Sequence, residues 1–318
     1  MYDITAFGEI LIDFTYNGRN KDGRVLFAQN PGGAPANLLV AATKLGAKTA
    51  MIGKVGNDMH GQFLKEVLES AHVGTAGLVL DDRYFTTLAF VSLDENGERS
   101  FSFSRKPGAD TCMTIAELDR DSLKNTKIFH VGSLSLTDEP SRGATLYAVQ
   151  EAKKAGAVIS YDPNYRSSLW QSEEAAKEQM RSLIPYADMM KISDEETDLL
   201  TDEHAPEAAA KVLLSKGVKL VAVTLGGDGA YLATAGSSVR IPGNQVPVVD
   251  TTGAGDSFWG GFLCQLVKSE KKPEDLREKD LEAYGRFANA VAGLCVQKKG
   301  AIPAMPSSEE VNAFLKNR

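Results

Sequence analysis

Asp250-Thr251-Thr252-Gly253-Ala254-Gly255-Asp256 runs straight into the apolar stretch SFWGGFLCQLV at 257–267. A glycine-rich turn therefore opens a helix. The backbone N–H groups of Gly253, Ala254 and Gly255 are expected to point free at its N-terminus, where unsatisfied donors and the helix dipole favour an anion such as a transferring phosphoryl group. Asp256, just inside the turn, sits oddly beside an anion hole unless it acts on a neighbour. Its natural task is to accept a proton from a hydroxyl attacking phosphorus. A plain N-cap needs fewer glycines, threonines and acids than these seven residues hold.

Outward from this turn, short apolar runs alternate with helix-length amphipathic segments, the βαβ pattern of a mainly parallel sheet covered on both faces. Strands are expected at Ile4–Phe7, Thr49–Ile52, Ile128–Val131, Val158–Tyr161, Met189–Ile192 and Leu220–Thr224. Helices are expected at Ala36–Leu45, from Asp58 to about Ala71, at Glu139–Ala155 and at Pro206–Lys216, with acid or Pro at the start and Gly beyond the end. Two β-hairpins interrupt the rhythm: Ile10–Tyr16 with Val25–Ala28, and Thr86–Leu93 with Arg99–Arg105, the second turning at Asp94-Glu95-Asn96-Gly97. Inserted at about 10–30 and 84–106, they read as a small sheet that lids a single α/β domain spanning 1–318.

The 318 residues carry 35 Lys and Arg against 42 Asp and Glu, a net charge of −7, so the electrostatic footprint of a nucleic-acid binder is missing. Cys112, Cys264 and Cys295 are odd in number and unpaired in spacing, as expected of reduced thiols in the cytoplasm. No apolar stretch approaches the roughly 18 residues of a membrane span, and MYDITAFGEILIDF lacks the basic n-region of a signal peptide.

Further residues gather around the same chemistry. Pro31-Gly32-Gly33-Ala34-Pro35-Ala36-Asn37 opens another helix, where glycines admit a ligand to the backbone and Asn37 offers a donor and an acceptor to a polyhydroxylated molecule. Asp13 is a lone acid in the apolar run ILIDFTY, and since an unpartnered buried carboxylate is costly it either faces solvent on an edge strand or binds something. Thr224-Leu225-Gly226-Gly227-Asp228-Gly229 follows a buried strand, where open α/β sheets bind ligands, although a simple hairpin turn reads equally well. Arg166, after another strand, is a ready phosphate ligand, and Ser193-Asp194-Glu195-Glu196 suits either a hydrated Mg²⁺ or an acidic first helical turn. There is no Walker loop, no G-x-G-x-x-G after the first strand and no paired histidines at metal spacing.

PGGAPAN at 31–37, IGKVGNDMHG at 52–61 and DTTGAGDSFWGG at 250–261 together resemble the signatures of the ribokinase-like, or PfkB, carbohydrate kinases, over about residues 3–306. FGEILIDF at 7–14, FHVGSLSL at 129–136, SYDPNYRSSLW at 160–170 and Lys191-Ile192-Ser193 with Glu195-Glu196 are most similar to the bacterial and plant fructokinases within that family.

The resemblance implies a three-layer α/β/α sandwich with a β lid, transferring the γ-phosphoryl group of ATP, with Mg²⁺, to the 6-hydroxyl of D-fructose. Asp256 is then the general base and Gly253, Ala254 and Gly255 the anion hole. Asp13, Gly32, Gly33 and Asn37 grip the sugar, Phe101 packs on it from the lid, and Arg166 approaches the phosphates or the sugar end. Thr224, Gly226, Gly227 and Gly229 lie along the nucleotide, with Asn289 near the adenine. Asp250 and Thr252, with carbonyls near Cys295, Lys298 and Gly300, match the loop that holds potassium in K⁺-activated members. Ser193 departs from the family, which commonly has Asn there, whereas Glu196 keeps the Mg²⁺-linked Glu. A 2-keto-3-deoxygluconate kinase is the nearest alternative, with Arg105 or Arg166 as cation for the substrate carboxylate. A sugar-binding regulator without turnover is a more distant one, since it needs neither base nor anion hole. Lid edges and aromatics suggest a homodimer through the lid.

Overall fold

The computed structural model describes residues 1–93 and 99–317. In chain order the strands are β1 Tyr2–Phe7, β2 Leu11–Arg19, β3 Val25–Gly32, β4 Thr49–Gly56, β5 Gly74–Asp81, β6 Leu88–Leu93, β7 Arg99–Ser104, β8 Thr126–Val131, β9 Val158–Tyr161, β10 Met189–Ser193, β11 Leu220–Thr224, β12 Gly229–Thr234 and β13 Ser238–Pro242. The helices are α1 Ala34–Lys44, α2 Met59–Ser70, α3 Arg120–Lys124, α4 Ser141–Lys154, α5 Glu173–Ser182, α6 Thr197–Thr201, α7 Pro206–Ser215, α8 Ala254–Ser269, α9 Glu278–Cys295 and α10 Ser308–Lys316.

The large sheet runs β13-β12-β11-β10-β9-β8-β1-β4-β5, parallel except where β12 pairs with β11 and β13. Its strands read as continuous apolar runs because both faces are covered. On β11, Leu220 and Ala222 enter the core under α1, α8 and α9, while Val221 and Val223 enter the core under α4, α5 and α7. The expected strands and helices appear within a few residues of their expected ends. Strands β5, β12 and β13 were not expected. β5 is an edge strand with an irregular burial pattern, and β12 and β13 form an antiparallel extension whose alternation is broken by glycine and polar residues.

The second sheet, β3-β2-β6-β7, is the expected pair of hairpins, joined by a parallel pairing of β2 with β6. The turn expected at 94–97 lies outside the described residues. The chain moves one way from β1 through β4 to β5 and then returns to β8 on the other side of β1. That reversal opens a crevice beyond the strands' carboxyl ends. No helix among the described residues is long and apolar enough to cross a membrane. The three cysteines are buried and unpaired.

Candidate active site

A cavity of about 450 Å³ lies between the carboxyl ends of the core strands and the inner face of the lid sheet. Its floor is the start of α8. Gly253 is the N-cap, with φ of 77° in the left-handed region, and Asp256 lies in the first turn. The Ala254 N–H is turned inward to the Thr251 carbonyl at 3.2 Å, so it is not free as expected. The amides of Gly253, Gly255 and Asp256 have no partner within the chain among the described residues, which leaves a cradle of donors one residue out of step with the expected one.

Helix α1 lies close against α8. A Cβ at Gly260 would stand 2.8 Å from the Leu38 carbonyl, so the glycine in FWGG permits this approach. The approach carries Asn37 to Asp256, and its Nδ2 donates to Asp256 Oδ2 at 2.8 Å, while the buried Asn37 Oδ1 has no partner. Burial, and secondarily the Asp162 charge, push the Asp256 carboxyl up to about 6, against the opposing pull of Lys191, Asn37 and Arg166.

Asp13 enters the same cavity from β2. Burial pushes it to about 6 as well, with Arg166 pulling down and Asp250 and Asp256 pushing up. Gly32 packs on the Asp13 carboxylate, where any side chain would collide with it. Gly33 lines the cavity with φ of 107°, and a Cβ there would meet the Glu9 carbonyl at 2.6 Å, so only glycine turns β3 into α1 here. Arg166 stands exposed on the rim, with Nη1 donating to the Tyr165 carbonyl at 2.8 Å.

At the other end of the cavity, Glu196 accepts from Tyr165 N at 2.6 Å and Ser193 N at 2.8 Å, a capping-box arrangement that aligns Ser193, Asp194 and Glu195 along the wall. Thr224 and Gly226 continue that wall. The turn after β11 is also the β11–β12 hairpin, so the hairpin reading of 224–229 holds. Gly227 and Gly229 belong to the hairpin and do not line the cavity. Asn289 also lies off the wall, donating to the Pro242 carbonyl at 3.0 Å.

Asp250, Thr252 and Gly300 come together, Gly300 through its N–H. Asp250 Oδ1 accepts from Thr252 N and Oγ1 at 3.0 and 2.7 Å, and Oδ2 accepts from Gly300 N at 3.0 Å. They border a smaller cavity of about 220 Å³ that shares Asp13 with the main one. Cys295 Sγ lies 3.9 Å from the Thr252 carbonyl, whereas the Lys298 side chain leaves for Glu310 at 2.9 Å.

One expectation is overturned. Arg105 is buried and held by the core: Nε donates to Asp110 at 2.8 Å, Nη1 to Thr137 Oγ1 at 2.8 Å and Nη2 to the Leu134 carbonyl at 2.8 Å. It anchors the end of β7 to the core and does not line the cavity that holds Asp256. Phe103 of β7 lines the cavity, and the side chain of Phe101 lies outside the described ones.

The sequence reading missed Glu9, Asp162 and Lys191. Glu9 lines the cavity, accepts from Ala34 N at 3.0 Å, and is pushed by burial to about 7. Lys191 Nζ donates to Asp162 Oδ2 at 2.8 Å. Burial pulls its pKa down, but Asp162, Glu196 and Asp256 outweigh that and raise it. Each is a lone charged residue in an apolar run, the signal that did single out Asp13.

The pfkB family carbohydrate kinase model matches residues 1–308. Probable fructokinase-5 of Arabidopsis thaliana is 43% identical over 319 residues, covering 99% of this chain and 98% of its own. Among solved structures, the fructokinase of Xylella fastidiosa with bound ATP superimposes with a TM-score of 0.91 at 33% identity, covering 99% of this chain and 98% of that one. The fructokinase of Vibrio cholerae O395 in its fructose, ADP and calcium ion bound form gives 0.89 at 33% identity, covering 99% of each.

Proposed function

Because the chain belongs to the pfkB family of carbohydrate kinases, we propose that it is an ATP-dependent fructokinase that phosphorylates the 6-hydroxyl of D-fructose. One observation carries the mechanism: Asp256 stands buried beside unpartnered amides at a helix N-terminus, in one cavity with Asp13 and Asn37. Phosphoryl transfer asks chiefly for positioning and charge stabilisation. Asp13, Asn37 and the Gly32-Gly33 backbone orient the sugar hydroxyls. Asp256 takes the proton from O6, the amides of Gly253, Gly255 and Asp256 receive the phosphoryl oxygens, and Arg166 draws the phosphates in from the rim. The lid covers the sugar and excludes water.

The nucleotide lies along Thr224 and Gly226. Magnesium, when bound with ATP, neutralises phosphate charge. The hard oxygens of Asp194, Glu195 and Glu196 at that end of the cavity fit it, held through water rather than by a dedicated cage. Potassium suits the junction of 250–252 with 295–300, where the Asp250 carboxylate is held by Thr252 and Gly300 beside the smaller cavity.

A neutral sugar is favoured over 2-keto-3-deoxygluconate because the relatives that the chain matches are fructokinases, and Arg105 is held away from the cavity by Asp110, Thr137 and Leu134. The whole chain acts as one kinase domain with two lid insertions. Tyr16, Val25, Leu26, Phe27 and Phe90 leave an exposed apolar face on the lid, which supports a homodimer formed there. A reducing cytoplasm suits the buried thiols.

The test is ADP release with Mg-ATP across fructose, 2-keto-3-deoxygluconate, ribose, tagatose, glucose and adenosine, with and without K⁺. Turnover on fructose well above the rest is expected. Preference for another acceptor replaces the substrate, and silence alongside a fructose-raised melting temperature replaces the enzyme with a sensor.

A further inference from the structure

Lys191 is the buried cation of the main cavity, and nothing in the mechanism above uses it. It sits on β10 between Met190 and Ile192, both fully buried, with its side chain 6% exposed. Of the three donors on its ammonium, one goes to Asp162 Oδ2 at 2.8 Å. Its side chain also lines the cavity and lies beside the first turn of α8. A Cβ at Gly255 would stand 2.8 Å from Nζ and 3.3 Å from Cε, so the ammonium fills the space that a side chain at 255 would take. It therefore lies against the amides that are left without partners. Asp162 Oδ1 is buried and also has no partner, which a purely structural ion pair in a packed core would not leave. Arg166 differs: it is exposed on the rim and spends a donor on its neighbour's carbonyl.

We propose that Lys191 is a catalytic residue whose ammonium, fixed by Asp162, contacts the phosphoryl group in flight together with the Gly255 and Asp256 amides. This rests on the kinase reading above. In the step, O6 of the sugar bonds to the γ-phosphorus as the bond from that phosphorus to the β–γ bridging oxygen breaks. The O6 proton passes to Asp256, and the electron pair of the broken bond leaves on ADP. Negative charge grows on the bridging and equatorial oxygens, where a buried, immobile cation acts without reorganisation. Lys191 is the fixed counterpart of Arg166: the rim arginine collects the nucleotide, and the lysine answers the charge of the transition state.

The test compares wild type with Lys191→Met and with the double variant Lys191→Met/Asp162→Asn, in which no buried carboxylate is left unpaired. Turnover with ATP is read beside the affinities for fructose, for ADP, and for ADP with aluminium fluoride and fructose. Both variants are expected to lose about a hundredfold or more in kcat, while fructose and ADP bind within about threefold of wild type. Affinity for the aluminium fluoride complex is expected to fall by the same factor as kcat. A double variant that turns over within tenfold of wild type, or that binds the aluminium fluoride complex as wild type does, reduces Lys191 to a structural pair and overturns the proposal. Wild type with no turnover on any sugar refutes the kinase reading instead, so the two failures are distinguishable.

Discussion

Replacing Asp256 by Asn should move activity and stability in opposite directions. The carboxyl stands at about 6 in the folded protein against the ordinary aspartate value of 3.8, chiefly because it is buried. Between those two values the folded state binds more protons than the unfolded one, so stability falls as pH rises through that window and the full cost remains above it. A shift of about two units at 1.36 kcal/mol each gives roughly 3 kcal/mol of cost at pH 8, borne for function. The amide oxygen of the variant still accepts from Asn37, so little is lost in exchange. Asp256→Asn should therefore unfold at higher urea than wild type at pH 8, by up to about 3 kcal/mol, with the advantage vanishing near pH 4. Its kcat should fall by about 10²- to 10⁴-fold, the usual contribution of a positioned base. In wild type, kcat/KM should drop with acid below about pH 6. Because Asp13 also titrates near 6, the limb in free enzyme should be steeper than one proton explains. A variant that is less stable at pH 8, or that keeps a tenth of its turnover, refutes the burial argument or the base assignment respectively.

Lys54 is wholly buried at the end of β4, bridging Asp81 at 2.6 Å and Glu117 at 2.7 Å and donating to the Cys112 carbonyl at 3.1 Å. Lys54→Met should lose roughly 3 kcal/mol in a urea titration, since Arg83 still pairs with Asp81, and a loss below 1 kcal/mol contradicts this account. Arg105→Ala should cost a similar ~3 kcal/mol through the stranded Asp110 while leaving the ratio of fructose to 2-keto-3-deoxygluconate turnover unchanged. A selective change in the acid sugar would return Arg105 to the substrate.

The parallel core was legible because its strands are buried on both faces and its helices carry capping signals, as at Asp58, which accepts from His60 N and Gly61 N. The glycine turns were legible because few residues other than glycine fit them. What stayed hidden depends on distant partners. Ala254 looks like one of three free amides until Thr251 folds back onto it. Arg105 looks available until Thr137 and Leu134 arrive from 30 residues away to share it with Asp110. Lys191 gave the same kind of signal as Asp13, but within a strand already assigned to the core its charge was passed over.

The β2–β6 pair has a consequence for how the chain acquires its cover. The two strands run side by side, yet β3, α1, β4, α2 and β5 separate them in sequence. Neither hairpin holds the other until that intervening part of the core has brought them together, and a lone two-stranded hairpin is marginal in water. The lid is therefore the last part to assemble as the chain folds and the first to come apart. Partly unfolded molecules will keep the core sheet but free Phe14 from its stack on Phe90, and Phe14 together with the already exposed Phe27 and Phe90 makes the surface through which such molecules will aggregate.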